Sequence, residues 1–198
     1  MATRGLFGFR KDGVDKAVYH HYDSYPVWLG SNFVELITRN YDKLDQIFEN
    51  ILVINPSSKP TEEQKDYCKK MGWYNSSVSE NSDDNWYCLL RGVQDIEDWQ
   101  KIIDKNEPIY IENKINFIKE SMFCEYAYIC DLDADVLEFY IGFQKKPDPN
   151  NKYGKRKRNG CYPCKMVLSI PFSKLKNNSA AWIVERMVEA RSKEKRVI

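Results

Sequence analysis

The chain has 198 residues, 42% of them apolar and 30% charged, a size and composition that fit one domain over residues 1–198 with a sizeable core. Thirty Lys and Arg nearly cancel 29 Asp and Glu, which excludes the global field expected of a protein for duplex nucleic acid or an anionic membrane surface. No apolar run approaches a bilayer span and no signal-peptide core follows the start, so the expectation is a soluble cytoplasmic protein whose six cysteines stay reduced.

In chain order, residues 4–10 read as a strand, 11–13 as a turn with Gly13 at positive φ, and 15–22 as a returning strand. Behind Pro26, Gly30-Ser31 opens one long amphipathic helix that runs from Phe33 through Leu36, Tyr41, Leu44 and Phe48 to Ile51. Thr61-Glu62-Glu63-Gln64 has the capping-box pattern, and Gly72 stops the helix it starts. The polar stretch 75–85 predicts a surface loop, followed by short helical pieces at 86–91 and 96–103.

The second half changes character. A short strand at 108–111 precedes a strong hairpin, 124–131 with 136–143, which turns at Asp133-Ala134-Asp135. A basic loop, 145–159, leads to a strand at 164–170, and Ser179 caps a terminal amphipathic helix. Strands at both ends with helices between them argue for an α+β fold, a mainly antiparallel sheet carrying a helical insertion at about 56–105.

Several constellations carry chemistry. On the second strand a period of two puts Tyr19, His21 and Asp23 on one face and His20 and Tyr22 on the other, so an imidazole and a carboxylate point the same way. Arg4, two residues from position 2, is placed to clamp an anionic group. The run 152–158 is read either as a solvated loop or as a phosphate trap in which Lys155, Arg156 and Arg158 supply charge between Tyr153 and Tyr162. Cys161-Tyr162-Pro163-Cys164 has the spacing of half a zinc site or a redox pair, but it lacks a second ligand pair and precedes a strand. Asp131-Leu132-Asp133-Ala134-Asp135 lacks the Gly and distal Glu of a calcium loop and reads as a turn. No metal or cofactor is expected.

The segment from Thr3-Arg4-Gly5-Leu6-Phe7-Gly8-Phe9 through Tyr19-His20-His21-Tyr22-Asp23 to Leu29-Gly30, with residues 123–128 and 131–140, resembles a family of small uncharacterised bacteriophage proteins. Its N-terminal architecture is in turn similar to the N-terminal-nucleophile hydrolases. That resemblance implies an αββα sandwich, a nucleophile at position 2 with its own α-amine as base, and Asp23 holding that amine. The catalytic set it implies is position 2, Arg4, His21 and Asp23, with Tyr19, Tyr25, Lys155, Arg156 and Arg158 toward a ligand. Position 2 is Ala2, which cannot attack. Three readings follow: a replaced cysteine, a non-catalytic relative that only binds, or a likeness without shared chemistry. The implied ligand is a small nucleotide signal, a cyclic nucleotide or an ADP-ribose derivative, and self-association stays open. A protein that blocks a host defence enzyme by surface contact is the remaining alternative.

Overall fold

Residues 3–79 and 82–195 are described by the structure, a computed structural model. The first hairpin forms where the chain permits a tight reversal. β1 (Gly5–Lys11) and β2 (Val14–His20) pair antiparallel from Gly5 opposite His20 to Lys11 opposite Val14. Between them Asp12 and Gly13 take φ of 52° and 72°, the two-residue turn whose twist matches that of paired strands.

β1 is an interior strand. Its second side pairs parallel with β5 (Tyr126–Asp131), and β5, β6 (Val136–Ile141) and β7 (Lys165–Pro171) continue antiparallel in the order β2-β1-β5-β6-β7. The fold is therefore mixed α and β, with a five-stranded sheet that is mostly antiparallel. Two three-residue strands, β3 (Ile51–Val53) and β4 (Ile109–Ile111), pair parallel in a second sheet and bracket the inserted segment. That segment holds α3 (Glu62–Lys70), α4 (Trp86–Leu89) and α5 (Trp99–Asp104). α1 (Ser31–Arg39) and α2 (Leu44–Asn50) precede it, and α6 (Phe172–Asn177) and α7 (Ala180–Lys195) follow the sheet. Among the described residues no helix is long and apolar enough to cross a membrane.

The two faces of the sheet are covered differently. On one, Phe7, Phe9, Tyr128 and Phe139 pack under helices; the Phe7 ring meets Trp99 edge-on at 5.0 Å and Phe9 meets Phe33 at 5.5 Å. On the other, Leu6, Ala17, Ile129 and Tyr140 lie under a 3₁₀ turn, Ile115–Lys119, and under Tyr153 and Cys164 of the long loop after β6. Lys114 and Asn113 also close part of the β2 edge, since Lys114 N donates to Ala17 O and Ala17 N donates to the Asn113 side chain.

Two expectations are corrected. The single long helix after Gly30 is two helices, because the Asn40 amide caps the end of α1 by donating to Leu36 O at 2.8 Å and also binds Gln100. The apolar spacing continues across the break, so periodicity alone does not reveal it. The alternation of β2 also stops at His20: Asp23 has φ of 46°, and its turn folds back so that Ser24 N donates to Thr3 O. Asp23 therefore does not share a strand face with His21. The capping box at Thr61 is present in both halves, at 3.2 and 2.9 Å, and Gly72 beyond α3 has φ of 76°.

Candidate functional site

Gly5 lets this turn approach the sheet. A Cβ there would stand 2.5 Å from Tyr126 O and 2.7 Å from the Ser24 Cβ, so any side chain would push residues 21–25 away from β1. With hydrogen at that position Ser24 is fully buried, and its Oγ lies 3.1 Å from His20 Nδ1. His20 is buried, and loss of solvent pulls its pKa down to about 4, against the weaker opposing charges of Asp95 and Asp23. It is a neutral structural imidazole.

His21, on the opposite side, is the accessible one. Its Nδ1 is 2.7 Å from the Tyr19 hydroxyl, and the Tyr19 ring meets Phe117 edge-on at 5.2 Å. Burial, then the charges of Arg91 and Arg4, lower the His21 pKa below its ordinary value, so it is uncharged at neutral pH. The same two arginines act on Tyr19, where burial nevertheless raises the phenol. Register carries Arg4 to the level of His21, one position beyond the Gly5 and His20 pair. Neither Arg4 nor Arg91 makes an ion pair with any described residue; among these the Arg91 side chain engages the Gln94 amide, at 2.9 Å, and the Tyr87 ring, at 5.7 Å. The charges of both guanidinium groups thus reach His21 and Tyr19, and neither arginine makes an ion pair with any described residue.

Two hollows open beside Tyr19 and His21. One, of about 290 Å³, lies between the β2 edge and α4 and is walled by Tyr19, Trp86, Tyr87, Leu90 and Phe117. The other, of about 270 Å³, holds His21, Tyr22, Asp23, Trp28, Arg91 and Asp95. Gln94 lines both. The first is at the lower limit of small-molecule sites and fits one ring system with its substituent.

The sequence-derived set is only partly brought together. Tyr19 and His21 are brought together, Asp23 is an exposed wall of the second hollow, and Arg4 lines neither hollow but acts on the pair through its charge. Ala2 lies outside the described residues. Tyr25 is elsewhere, half-buried against Tyr126 with Arg191 over its ring at 5.8 Å. Lys155, Arg156 and Arg158 line neither hollow; Arg158 reaches Glu120 at 3.6 Å, next to the tight turn at Asn159-Gly160. Tyr153 cannot close over a ligand there, since it is buried against Tyr140 and its hydroxyl donates toward Asp15 at 3.3 Å. Arg91, Gln94 and the ring pair Trp86-Tyr87 were not anticipated. Their only trace in the sequence is an aromatic pair and an arginine in a short helical piece, some seventy residues from the strand they face.

The other charged cluster is closed. Arg10 Nη1 binds Asp15 at 2.9 Å, Lys152 Nζ binds Asp131 at 2.9 Å and Glu138 at 2.7 Å, and the Tyr140 hydroxyl donates to Glu138 at 2.7 Å. Lys152 of the basic run is thereby a clamp for its own loop. Cys161 and Cys164 are buried; the Cys164 thiol donates to Cys124 O at 3.3 Å and Cys161 Sγ accepts from Lys145 Nζ at 3.2 Å. Compared with protein-family models, curated proteins and solved structures, the chain matches none. Geometry alone carries the functional argument.

Proposed function

We propose that this protein binds a small anionic ligand with an aromatic ring, of nucleotide type, in the cleft between the end of β2 and α4. The observation that carries the reading is Arg91, which makes no ion pair with any described residue and lies over Tyr87 at 5.7 Å beside the ring-walled cleft, with the charge of Arg4 reaching the same His21 and Tyr19. A phosphate accepts charge-assisted hydrogen bonds from the Arg91 guanidinium, and a base stacks on Tyr19, Trp86 or Tyr87. Under the bacteriophage resemblance, such binding serves to sequester a nucleotide signal of host defence.

Calorimetric titration with AMP, GMP, ADP-ribose and a cyclic dinucleotide tests it. Arg91→Gln is expected to weaken the best ligand about ten- to a hundredfold, and Arg4→Gln by less, each with unchanged thermal melting, the loss shrinking as salt rises. Absence of binding across the set, or affinity indifferent to Arg91→Gln, overturns the reading and favours the blocker of a host enzyme.

One observation supports a second reading, the nucleophile hydrolase with its αββα sandwich. Thr3 is buried and tied through its carbonyl to Ser24 N, which brings the segment before β1 alongside Asp23. An Ala2→Cys variant that turns over the bound ligand, and loses that turnover with Asp23→Asn, supports it; an intact ligand after incubation ends it.

A further inference from the structure

The two hollows are not alternatives. Gln94 walls both, and Arg91 lines the second while its guanidinium lies over the Tyr87 ring of the first at 5.7 Å. Each hollow carries its own aromatic surface. In the second these are Trp28 and Tyr22, which stand 48% and 58% exposed, with His21 edge-on to Tyr22 at 4.3 Å. Large rings left half in water beside an unfilled hollow gain most from a flat apolar group laid on them.

From this we infer that the site takes a dinucleotide, with one base in each hollow and the linking phosphates at Arg91 between them. The inference rests on the nucleotide reading above and adds the second base. Neither hollow, at 290 and 270 Å³, is large enough for such a ligand alone, but each suits one base with its sugar. The walls differ in polarity. The first pairs its rings with Lys114, whose ammonium is bound to Glu112, so it offers stacking with little net charge. The second presents Asp23, Asp95 and Glu97, which make no ion pair with any described residue. Carboxylates only accept hydrogen bonds, so the base seated there is one whose edge presents adjacent N–H donors, as guanine does. Two linkages present two guanines around phosphate: a cyclic di-GMP ring and a linear guanosine dinucleotide joined by pyrophosphate.

The test compares GMP, cyclic di-GMP and the pyrophosphate-linked guanosine dinucleotide by calorimetry on the full chain and on Trp28→Ala and Asp95→Asn. Trp28 is half exposed, and asparagine at 95 keeps the oxygen that accepts from Glu97 N, so both variants should fold. At least one dinucleotide is expected to bind about tenfold or more tighter than GMP, and whichever gains identifies the linkage. Trp28→Ala and Asp95→Asn should each remove most of that advantage, bringing the dinucleotide down to about the affinity that GMP has for the unaltered chain. Equal affinity for GMP and both dinucleotides, or an advantage that survives Trp28→Ala, overturns the two-seat site while leaving single-nucleotide binding intact. Failure of all three to bind overturns this inference, and the AMP and ADP-ribose titrations then decide whether the broader reading falls with it.

Discussion

Arg4 and Arg10 stand six positions apart near the two ends of one strand, and their surroundings are opposite. Arg10 is held by Asp15 within a cluster that also joins Asp131, Lys152, Glu138 and Tyr140. Arg4 makes no ion pair with any described residue, and its charge acts on the same His21 as that of a second open arginine, Arg91. Charge neutralised by the chain itself is spent on holding a loop to the sheet; charge left open is available to something outside the chain. Sequence distance says nothing of this. The residues that close the first cluster come from β2, β5, β6 and the basic loop, and what distinguishes the two arginines is where those elements end.

The comparison breaks most sharply at Glu138. Glu138→Ala removes one partner of Lys152 and leaves the buried Tyr140 hydroxyl without its acceptor, so the unfolding free energy should fall by about 3 to 4 kcal/mol in urea. Arg4→Gln at the open end should move it by no more than about 0.5 kcal/mol. Comparable losses in the two variants would mean that Arg4 is also structural.

His20 gives the next effect, and its sign can be worked out. Its folded pKa is about 4 against an ordinary value of 6.5, so between these pH values the unfolded chain binds more protons. The stability due to the neutral imidazole is complete above about pH 7 and is lost as pH falls through the window, by roughly 3 kcal/mol in all. His20→Gln should flatten that part of the stability profile from pH 7 to 4. His21 responds to ligand instead: a bound phosphate raises its lowered pKa, so binding takes up protons and tightens as pH falls below neutral. A wild-type profile with no slope between pH 4 and 7 would contradict the burial of His20.

How far this was legible in the sequence follows the same division. Turn and cap chemistry is local, so Gly13, the Thr61 capping box, the stop at Gly72 and Ser179 before α7 were all readable from neighbouring residues. The hairpin of β5 and β6 was readable too. The break at Asn40 was not, because it depends on Gln100 sixty residues away. At the site, Tyr19 and His21 came out of strand periodicity and Arg4 from its nearness to position 2, but Asp23 was carried past the end of the strand to a position where φ is 46° and alternation no longer applies. Arg91 and the rings of α4 were invisible, since only the packing of the insertion against the β2 edge brings them near.

The smallest expected effect concerns the charge run that is most conspicuous by eye. Changing Lys155, Arg156, Lys157 and Arg158 together to serine should alter nucleotide affinity by less than about twofold, because these groups act only through screened solvent. Measured at two salt concentrations, a loss that is large and persists at high salt would return the loop to the site.

The parallel pairing of β1 with β5 also sets a clock on synthesis. The first hairpin emerges early, yet Phe7 and Phe9 lie on a strand whose other neighbour ends at Asp131. At a translation rate of roughly 5–20 residues per second, the hairpin waits on the order of ten seconds before that neighbour leaves the ribosome. During that interval an aromatic strand edge is uncovered, and the corner that holds Arg4 and His21 has no floor. Chaperone dependence and sensitivity to translation speed should therefore concentrate in the β1–β2 hairpin, the stretch that supplies Tyr19 to the ligand site.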